Sequence, residues 1–360
     1  MPDTTSDAPA DVDWDALAAR VAAHHQATDG WGLLDDWLSG AAPDPAGSDG
    51  PIRLGGEVAE PAVYTVDALR ALPAVTQTAT YTAAGTPVTD TYTGVLLRDL
   101  LAGAGGVTTD PAVRNDILAH YVVATGSDGY RAVYSLGEIE ARFGGEPIAV
   151  AYEDTAGQLG PGGADGFARM VVPGDAAGGR YVSDLVSLEV RSGPGFVAGP
   201  GGPSTAFALG GAVANPAVFD GEALASREGQ LTQAVTYAAG GAPVTDTYTG
   251  VLLWDLLADA DVLTDPAVRN DILGFTVVAT GSDGYRAVFS LGEINPRFGG
   301  EPVTVAYDDE LGQLGPEGPS GFARMVVPGD NADGRYVSNL VGIEVVDVDA
   351  GPAAGDHVWG

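Results

Sequence analysis

The stretch Gly281–Ile294 reads GSDGYRAVFSLGEI, and Gly126–Ile139 reads GSDGYRAVYSLGEI, 155 residues earlier. Ser-Asp-Gly between two runs of alternating residues predicts a tight hairpin turn. Strand side chains alternate, so Tyr285, Ala287 and Phe289 are expected on one face and Arg286, Val288 and Ser290 on the other. Ser290 and Glu293 have the S-x-x-E spacing of a capping box, which predicts a short helix straight after the second strand. Pro296 should stop that helix.

Working outward, the duplication extends over a first repeat at 52–191 and a second at 207–346. A period this long marks a duplicated domain, because solenoid repeats run to roughly 20–50 residues. Each repeat opens on a Gly-Gly strand, expected at Leu54–Val58 and Leu209–Val213. Thr/Tyr/Val strands follow at Gln77–Thr82 and Thr232–Ala238, and DTYTGVLL is read as leading into a helix over Asp90–Ala102 and Asp246–Ala258. Leu252, Leu253, Leu256 and Leu257 supply an apolar stripe for that helix. Asp110-Pro111 and Asp265-Pro266 read as N-cap and first helical residue of another short helix. Further strands are expected at Ile148–Tyr152, Ala168–Pro173 and Tyr181–Val190 and at their counterparts. Many short strands with a few short helices give a β-rich, mixed-sheet α+β domain, present in tandem.

The flanks differ in character. Residues 1–50 read as an acidic helical arm and linker, with one helix over Asp13–Gln26 and a second holding Trp31, Leu34 and Trp37. The Gly/Pro segment 192–206 reads as a linker and 347–360 as a tail.

Charge narrows the choice of partners. The 360 residues include 49 acidic and 16 basic ones, for a formal net charge of −33, and every basic residue is Arg. Such a surface repels itself, and salt relieves the repulsion as the Debye length falls from roughly 10 Å at 0.1 M to about 3 Å at 1 M. This predicts a salt-adapted (halophilic) protein. Nucleic acid is a poor partner, since phosphate contacts need a basic face. There is no Cys, which removes disulfides and thiolate chemistry together. With no apolar run long enough to span a bilayer and no signal-like start, no membrane association and a cytoplasmic location are expected.

At this point the ordered series TYTGVLLWDLL, GSDGY–FSLGEI, VAY–GQLGP, ARMVVPGD and GRYVSNLVGIEV resembles the molybdopterin-binding domain of the sulfite oxidase family. The resemblance covers nearly all of both repeats. It implies the sulfite oxidase fold, molybdopterin as cofactor and an oxidoreductase activity of the oxygen-atom-transfer type. The family's metal-ligating Cys would stand on the strand that here reads Thr80-Tyr81-Thr82 and Thr236-Tyr237-Ala238, with no sulfur in either copy. Tyr and Thr do not replace a soft thiolate, which argues against molybdenum and assigns no metal ligand. The family's His-Gly is Asp165-Gly166 and Ser320-Gly321 here, and its Lys near the last strand is Ser183 and Ser338. Two readings follow: an oxidoreductase-like protein with degenerate ligation, or a non-catalytic module that binds a small anion, a pterin or another protein. A purely structural tandem module is a third.

Candidate site residues come from the arginines. Arg114, Arg131, Arg142, Arg169 and Arg180 recur as Arg269, Arg286, Arg297, Arg324 and Arg335, ten of the sixteen basic residues. Planar guanidinium suits phosphate and oxyanion recognition. The functional reading joins Arg131, Arg169 and Arg180, and likewise Arg286, Arg324 and Arg335, in a pterin-phosphate or oxyanion pocket; Tyr81 and Tyr237, like Tyr130 and Tyr285, are candidates to line a pocket, with core or interface packing as the first reading. The alternative is that the arginines pair with the many carboxylates. Asp128 and Asp283 read as turn formers first. His120 has Phe275 as its counterpart, so no His metal site is shared by the copies. The two repeats are expected to pack on each other as a pseudo-dimer.

Overall fold

Alternation of β-branched and aromatic residues produces two matched sets of strands. The structure, a computed structural model, describes residues 50–159, 166–194, 199–315 and 318–350. They lie within one compact unit, Pro45–Ala350. The expected helices at Asp13–Gln26 and around Trp31–Trp37, and the tail after residue 350, lie outside the described residues.

The first repeat runs β1 (Ile52–Gly56), β2 (Ala62–Tyr64), α1 (Val66–Arg70), β3 (Val75–Ala83), β4 (Thr86–Leu96), α2 (Leu97–Gly103), β5 (His120–Gly126), β6 (Arg131–Ser135), α3 (Leu136–Ile139), β7 (Ala149–Asp154), β8 (Gly157–Gln158), β9 (Arg169–Val171) and β10 (Leu185–Ser192). The second runs β11 (Ala206–Gly211), β12 (Ala217–Asp220), α4 (Gly221–Ala225), β13 (Gln230–Ala239), β14 (Ala242–Leu252), α5 (Leu253–Ala260), β15 (Phe275–Gly281), β16 (Arg286–Ser290), α6 (Leu291–Ile294), β17 (Thr304–Asp309), β18 (Arg324–Val326) and β19 (Leu340–Asp347).

Strand order repeats with the sequence. One sheet of each repeat is ordered β2-β1-β10-β5-β6 or β12-β11-β19-β15-β16. Within these sheets β1 pairs β10, and β11 pairs β19, in parallel. The other sheet is built on β3-β4-β7, with β8 and β9 also pairing β7, or on β13-β14-β17-β18. Each repeat has its own apolar core between these sheets.

The hairpin forms as expected, but both of its faces are buried. Ala287 and Phe289 enter the core of the second repeat. Val288 instead joins Val133, Val123 and Val278 in a separate cluster made by both repeats. A strand covered on two faces loses its apolar/polar alternation, which is why RAVFS reads as nearly continuous.

Several expected elements change type. The segment over Asp90–Leu96 is strand, and the helix begins only at Leu97; its twin begins at Leu253. The Thr and Tyr residues of DTYTG keep a period of two, with Thr76–Thr93, Thr78–Thr91 and Thr80–Thr89 hydroxyl pairs across β3 and β4. Only Leu253, Leu256 and Leu257 of the leucine stripe are fully buried in α5; Leu252 ends β14. Asp110 and Asp265 form side-chain turns to Ala112 and Ala267 rather than helix caps, and single 3-10 turns follow at Asp116–Ala119 and Asp271–Gly274. The last strand of each repeat starts at Leu185 and Leu340, after Tyr181 and Tyr336 have turned inward.

Candidate functional site: twin tyrosine–arginine clusters and a carboxylate cavity between the repeats

Alternation along β3 and β13 places Tyr81 and Tyr237 on the buried face, each 7% exposed. The Tyr81 hydroxyl meets Tyr92 on β4 at 3.1 Å, and Tyr237 meets Tyr248 on β14 at 2.8 Å. The Tyr81 ring lies 4.1 Å from Tyr181, and the Tyr237 ring 4.5 Å from Tyr336. Arg169 lies over Tyr92 and Tyr181, each at 5.6 Å. Arg324 lies over Tyr248 at 5.7 Å and Tyr336 at 5.3 Å. A guanidinium over a tyrosine face is held by the ring quadrupole. Arg324 is 7% exposed, donates a long bond to the Tyr248 hydroxyl at 3.4 Å, and has no hydrogen-bond partner at Nε. Burial raises the pKa of Tyr92 and Tyr248 well beyond the ordinary phenol range, so both stay neutral.

A second arrangement forms where the repeats meet. Ser135 and Ser290 accept the Glu138 and Glu293 amide N–H at 3.0 Å, capping α3 and α6. The glutamate side chains, expected to complete the capping box, turn away to arginine. Arg180 makes a fork to Asp175, with Nε at 2.9 Å and Nη2 at 2.6 Å, and its Nη1 donates to Glu138. Arg335 repeats this with Asp330, at 2.8 and 2.5 Å, and with Glu293. Planar bidentate pairing is the guanidinium's strongest mode. Both arginines are 2% exposed.

Each arginine stem lies against the other repeat. A Cβ on Gly292 would come within 2.5 Å of Arg180 Cδ, and one on Gly137 would strike Arg335 Cδ. Phe298 and Phe143 occupy the equivalent space at Gly179 and Gly334. Reciprocal bonds tie the halves: Ala176 N to Phe298 O and Asn331 N to Phe143 O, both 2.9 Å, and Asn115 to Tyr285 and Asn270 to Tyr130, both 2.9 Å.

These pairs surround a cavity of about 120 Å³, lined by fourteen residues, seven from each repeat. Six are carboxylates: Glu138, Glu146, Asp175 and their counterparts Glu293, Glu301 and Asp330, facing two guanidinium groups. Burial pushes the Glu138 carboxyl up to about 8, against the pull of Arg180 and with the repulsion of Glu293. Burial and the Glu293 charge push Glu301 up to about 7. Glu293 Oε2 accepts from Ser135 across the interface at 3.0 Å, whereas Glu138 Oε2 is buried without a hydrogen-bond partner.

The structure divides the expected arginine pocket among three sets of partners. Arg169 and Arg324 lie in the clusters that hold Tyr81 and Tyr237, over the rings of Tyr92 and Tyr181 and of Tyr248 and Tyr336. Arg180 and Arg335 are ion-paired at the interface instead. Arg131 pairs with Asp349, and Arg286 donates to the Pro194 carbonyl. Asp128 and Asp283 accept the amides of Tyr130 and Tyr285 at 2.9 Å, as turn formers do. The sequence reading assigned Glu138 and Glu293 only a capping role, and Asp175, Tyr92 and Tyr181 with their twins none. A usable signal was the Asp five residues before the Arg of each Gly-Arg, and the Tyr eleven residues after Tyr81 and Tyr237 on the paired strand.

Comparison with known families bears on the first cluster. Residues 41–194 match the family described as oxidoreductase molybdopterin binding domain. That span covers the first repeat, and the second repeats its strand order, so the chain carries the sulfite oxidase-type fold in duplicate. No curated protein matches the chain. Among solved structures it is similar to the sulfane dehydrogenase SoxCD from Paracoccus pantotrophus, at 16% identity over 84% of this chain and 78% of that one, with a TM-score of 0.33. Among the described residues, no helix is long and apolar enough to cross a membrane.

The family that residues 41–194 match implies a molybdopterin and, with it, molybdenum. The donor set on β3 and β13 does not fit the metal: the chain has no Cys, and Tyr81 and Tyr237 offer hydroxyls already engaged by Tyr92 and Tyr248. A phenol oxygen is a poor replacement where a metal calls for soft sulfur.

Proposed function

We propose that this chain is a binding module on a duplicated molybdopterin-domain scaffold, with molybdenum ligation by the protein lost from both repeats. What supports this reading is that the chain has no Cys, and that the strands where the resemblance would put a thiolate instead carry buried tyrosines whose hydroxyls are tied to a second tyrosine. The ligand is a small oxyanion or a pterin bearing an anionic group, recognised by Arg169 and Arg324. Arg324 supports this most directly, because its guanidinium is buried on aromatic faces with Nε unengaged. The two repeats, at 52–191 and 207–346, act as an internal pseudo-dimer.

Titration calorimetry with inorganic phosphate, sulfate and pterin-6-carboxylate tests the reading. Arg169→Met combined with Arg324→Met should abolish binding while the fold is retained by circular dichroism. Undiminished binding in that double variant contradicts the arginine assignment. The family match favours a second reading, an oxidoreductase that holds its metal through the cofactor alone; stoichiometric metal and pterin in the purified protein would select it.

The acidic, lysine-free composition fits salt adaptation. On that reading the melting temperature rises between low salt and molar KCl, and an unchanged value contradicts it.

A further inference from the structure

The turn after β17 is built differently from its twin after β7, and one missing hydroxyl accounts for the difference. In the first repeat Asp90 on β4 is half-buried, and its Oδ1 accepts the Thr91 amide at 2.7 Å, the Thr155 amide at 3.2 Å and the Thr155 hydroxyl. Gly157 and Gln158 then pair back onto β7 as β8, which closes the turn through the backbone. In the second repeat an exposed Glu310 stands at the position of Thr155. Among the described residues β8 has no counterpart there. Asp309 holds the turn instead: Oδ2 accepts the Gln313 amide at 2.8 Å and Oδ1 the Leu314 amide at 2.7 Å.

Asp246 takes the place of Asp90 in the DTYTG of β14, but is only 3% exposed. Its Oδ1 accepts the Thr247 amide at 2.8 Å and the Leu311 amide at 3.3 Å, while Oδ2 is buried with no donor to meet it. The side chain within hydrogen-bonding reach of Asp246 is Asp309. Both carboxyls already accept backbone amides, so neither offers the other a donor unless one of them carries a proton. Two ionised carboxylates sharing one site repel, which holds a proton on the pair.

We propose that Asp246 keeps its proton and donates it to the Asp309 carboxylate, and that this acid–carboxylate bond is a pH-operated latch on the turn 309–314 of the second repeat. As pH rises the Asp246 O–H bond breaks, the proton leaves to solvent, and the hydrogen bond becomes two negative charges face to face. Asp246 is fixed in the β13–β14 ladder opposite Val235, so the Asp309 turn is the part that gives way and frees the Gln313 and Leu314 amides. The turn is in turn tied forward. Ser320 donates its amide to the Gln313 carbonyl at 2.9 Å, and Gly315 to the Gly321 carbonyl at 3.0 Å, so the latch reaches the segment that leads into β18. In the first repeat Thr155 supplies Asp90 with a hydroxyl at any pH, and no latch is needed.

Protonation runs in the same direction. Burial, with the Asp309 contact, raises the Asp246 carboxyl above its ordinary 3.8 against the pull of the Thr247 and Leu311 amides. At Asp90 burial is outweighed by the Thr155 hydroxyl, the Thr91 and Thr155 amides and the Arg169 charge, and the carboxyl is lowered. The groups facing Asp246 are Asp309 on β17 and Tyr248 on β14. Tyr237 of β13 and Arg324 of β18 lie beside that tyrosine, and Asp308 and Glu310 flank Asp309 as exposed charges. The folded state holds a proton that the unfolded chain has lost. Stability from Asp246 is therefore full below pH 3.8 and is lost as pH rises through the raised value.

The test is amide hydrogen exchange on the full chain in KCl at a series of pH values upward from 3.8, with rates corrected for their intrinsic pH dependence. Opening the latch releases one proton. Protection of the Gln313 and Leu314 amides should therefore fall by up to about tenfold per pH unit and level off once Asp246 is ionised. The matching amides of Gln158 and Leu159 should stay flat over the same range. Glu310→Thr, which restores the hydroxyl, should flatten the response in the second repeat. Asp309→Asn should do the same, because its side-chain N–H can donate to an ionised Asp246. Protection at Gln313 and Leu314 that does not change with pH in the parent overturns the latch. So does a pH dependence that survives in Asp309→Asn. The exchange is read with no anionic ligand present, so this inference and the assignment of Arg169 and Arg324 fail separately.

Discussion

Repeat one and repeat two make the same Arg–Asp fork, with Arg180 on Asp175 and Arg335 on Asp330, yet single side chains elsewhere in the two repeats find different partners. Ser135 reaches Glu293, while Glu138 Oε2 goes unmet. Tyr134 donates to the Arg180 carbonyl where the second repeat has Phe289. His120 pairs with Glu57 at 3.0 Å where the second has Phe275. The shared parts are those that hold strand order and the meeting of the halves. The divergent parts are hydroxyls and rings at which either chemistry fills the same space. The two halves thus share the arrangement that folds and differ at individual hydroxyls and rings.

The largest way to break this comparison is to remove a fork. Arg180→Met and Arg335→Met should each lower stability by about 3–5 kcal/mol, because each strands buried carboxylates. Urea unfolding at fixed KCl measures it, and a loss confined to one repeat would contradict the equivalence. Next in size are Gly137→Ala and Gly292→Ala, which drive a methyl into the opposite repeat's arginine stem. Overpacking of this kind costs about 1–3 kcal/mol; a neutral result would mean the stems can move aside. Tyr81→Phe and Tyr237→Phe should cost about 1 kcal/mol apiece through the lost hydroxyl pair, again alike in both repeats.

The smallest effect sharpens the difference between the copies. Burial opposes charging of the His120 ring, but Glu57 and the Asp116 carbonyl outweigh it and raise its pKa above 6.5. A raised histidine contributes stability that is full below its unfolded pKa and lost as pH rises through the folded one. His120→Phe, which copies the second repeat, should remove that part of the pH dependence just above 6.5. A pH profile identical to the parent would show that the Glu57 contact contributes nothing.

The duplication, the hairpin and its helix cap were legible in GSDGYRAVFSLGEI because turn residues and alternation are local signals. The start of α2 and α5 was not, since the leucines of DTYTGVLL outweighed a two-residue period that continues through Thr93 and Thr249. The interface was hidden for a different reason. Glu138 reads as a capping-box residue, and only the fold brings it to Arg180, 42 residues on. The run RAVFS did hold a clue, since apolar residues on both strand faces require cover on both sides. Tyr81 and Tyr237 were picked out, but their hydroxyl partners lie on the neighbouring strand, beyond what spacing reveals.

The central proposal is that neither half grips molybdenum through the protein, since the chain has no Cys. Elemental analysis for molybdenum and tungsten, with pterin fluorescence after oxidation, on protein expressed with molybdate and purified in high salt, tests it directly. The account predicts metal far below one atom per chain, with or without bound pterin. One atom of metal and one pterin per repeat would contradict it.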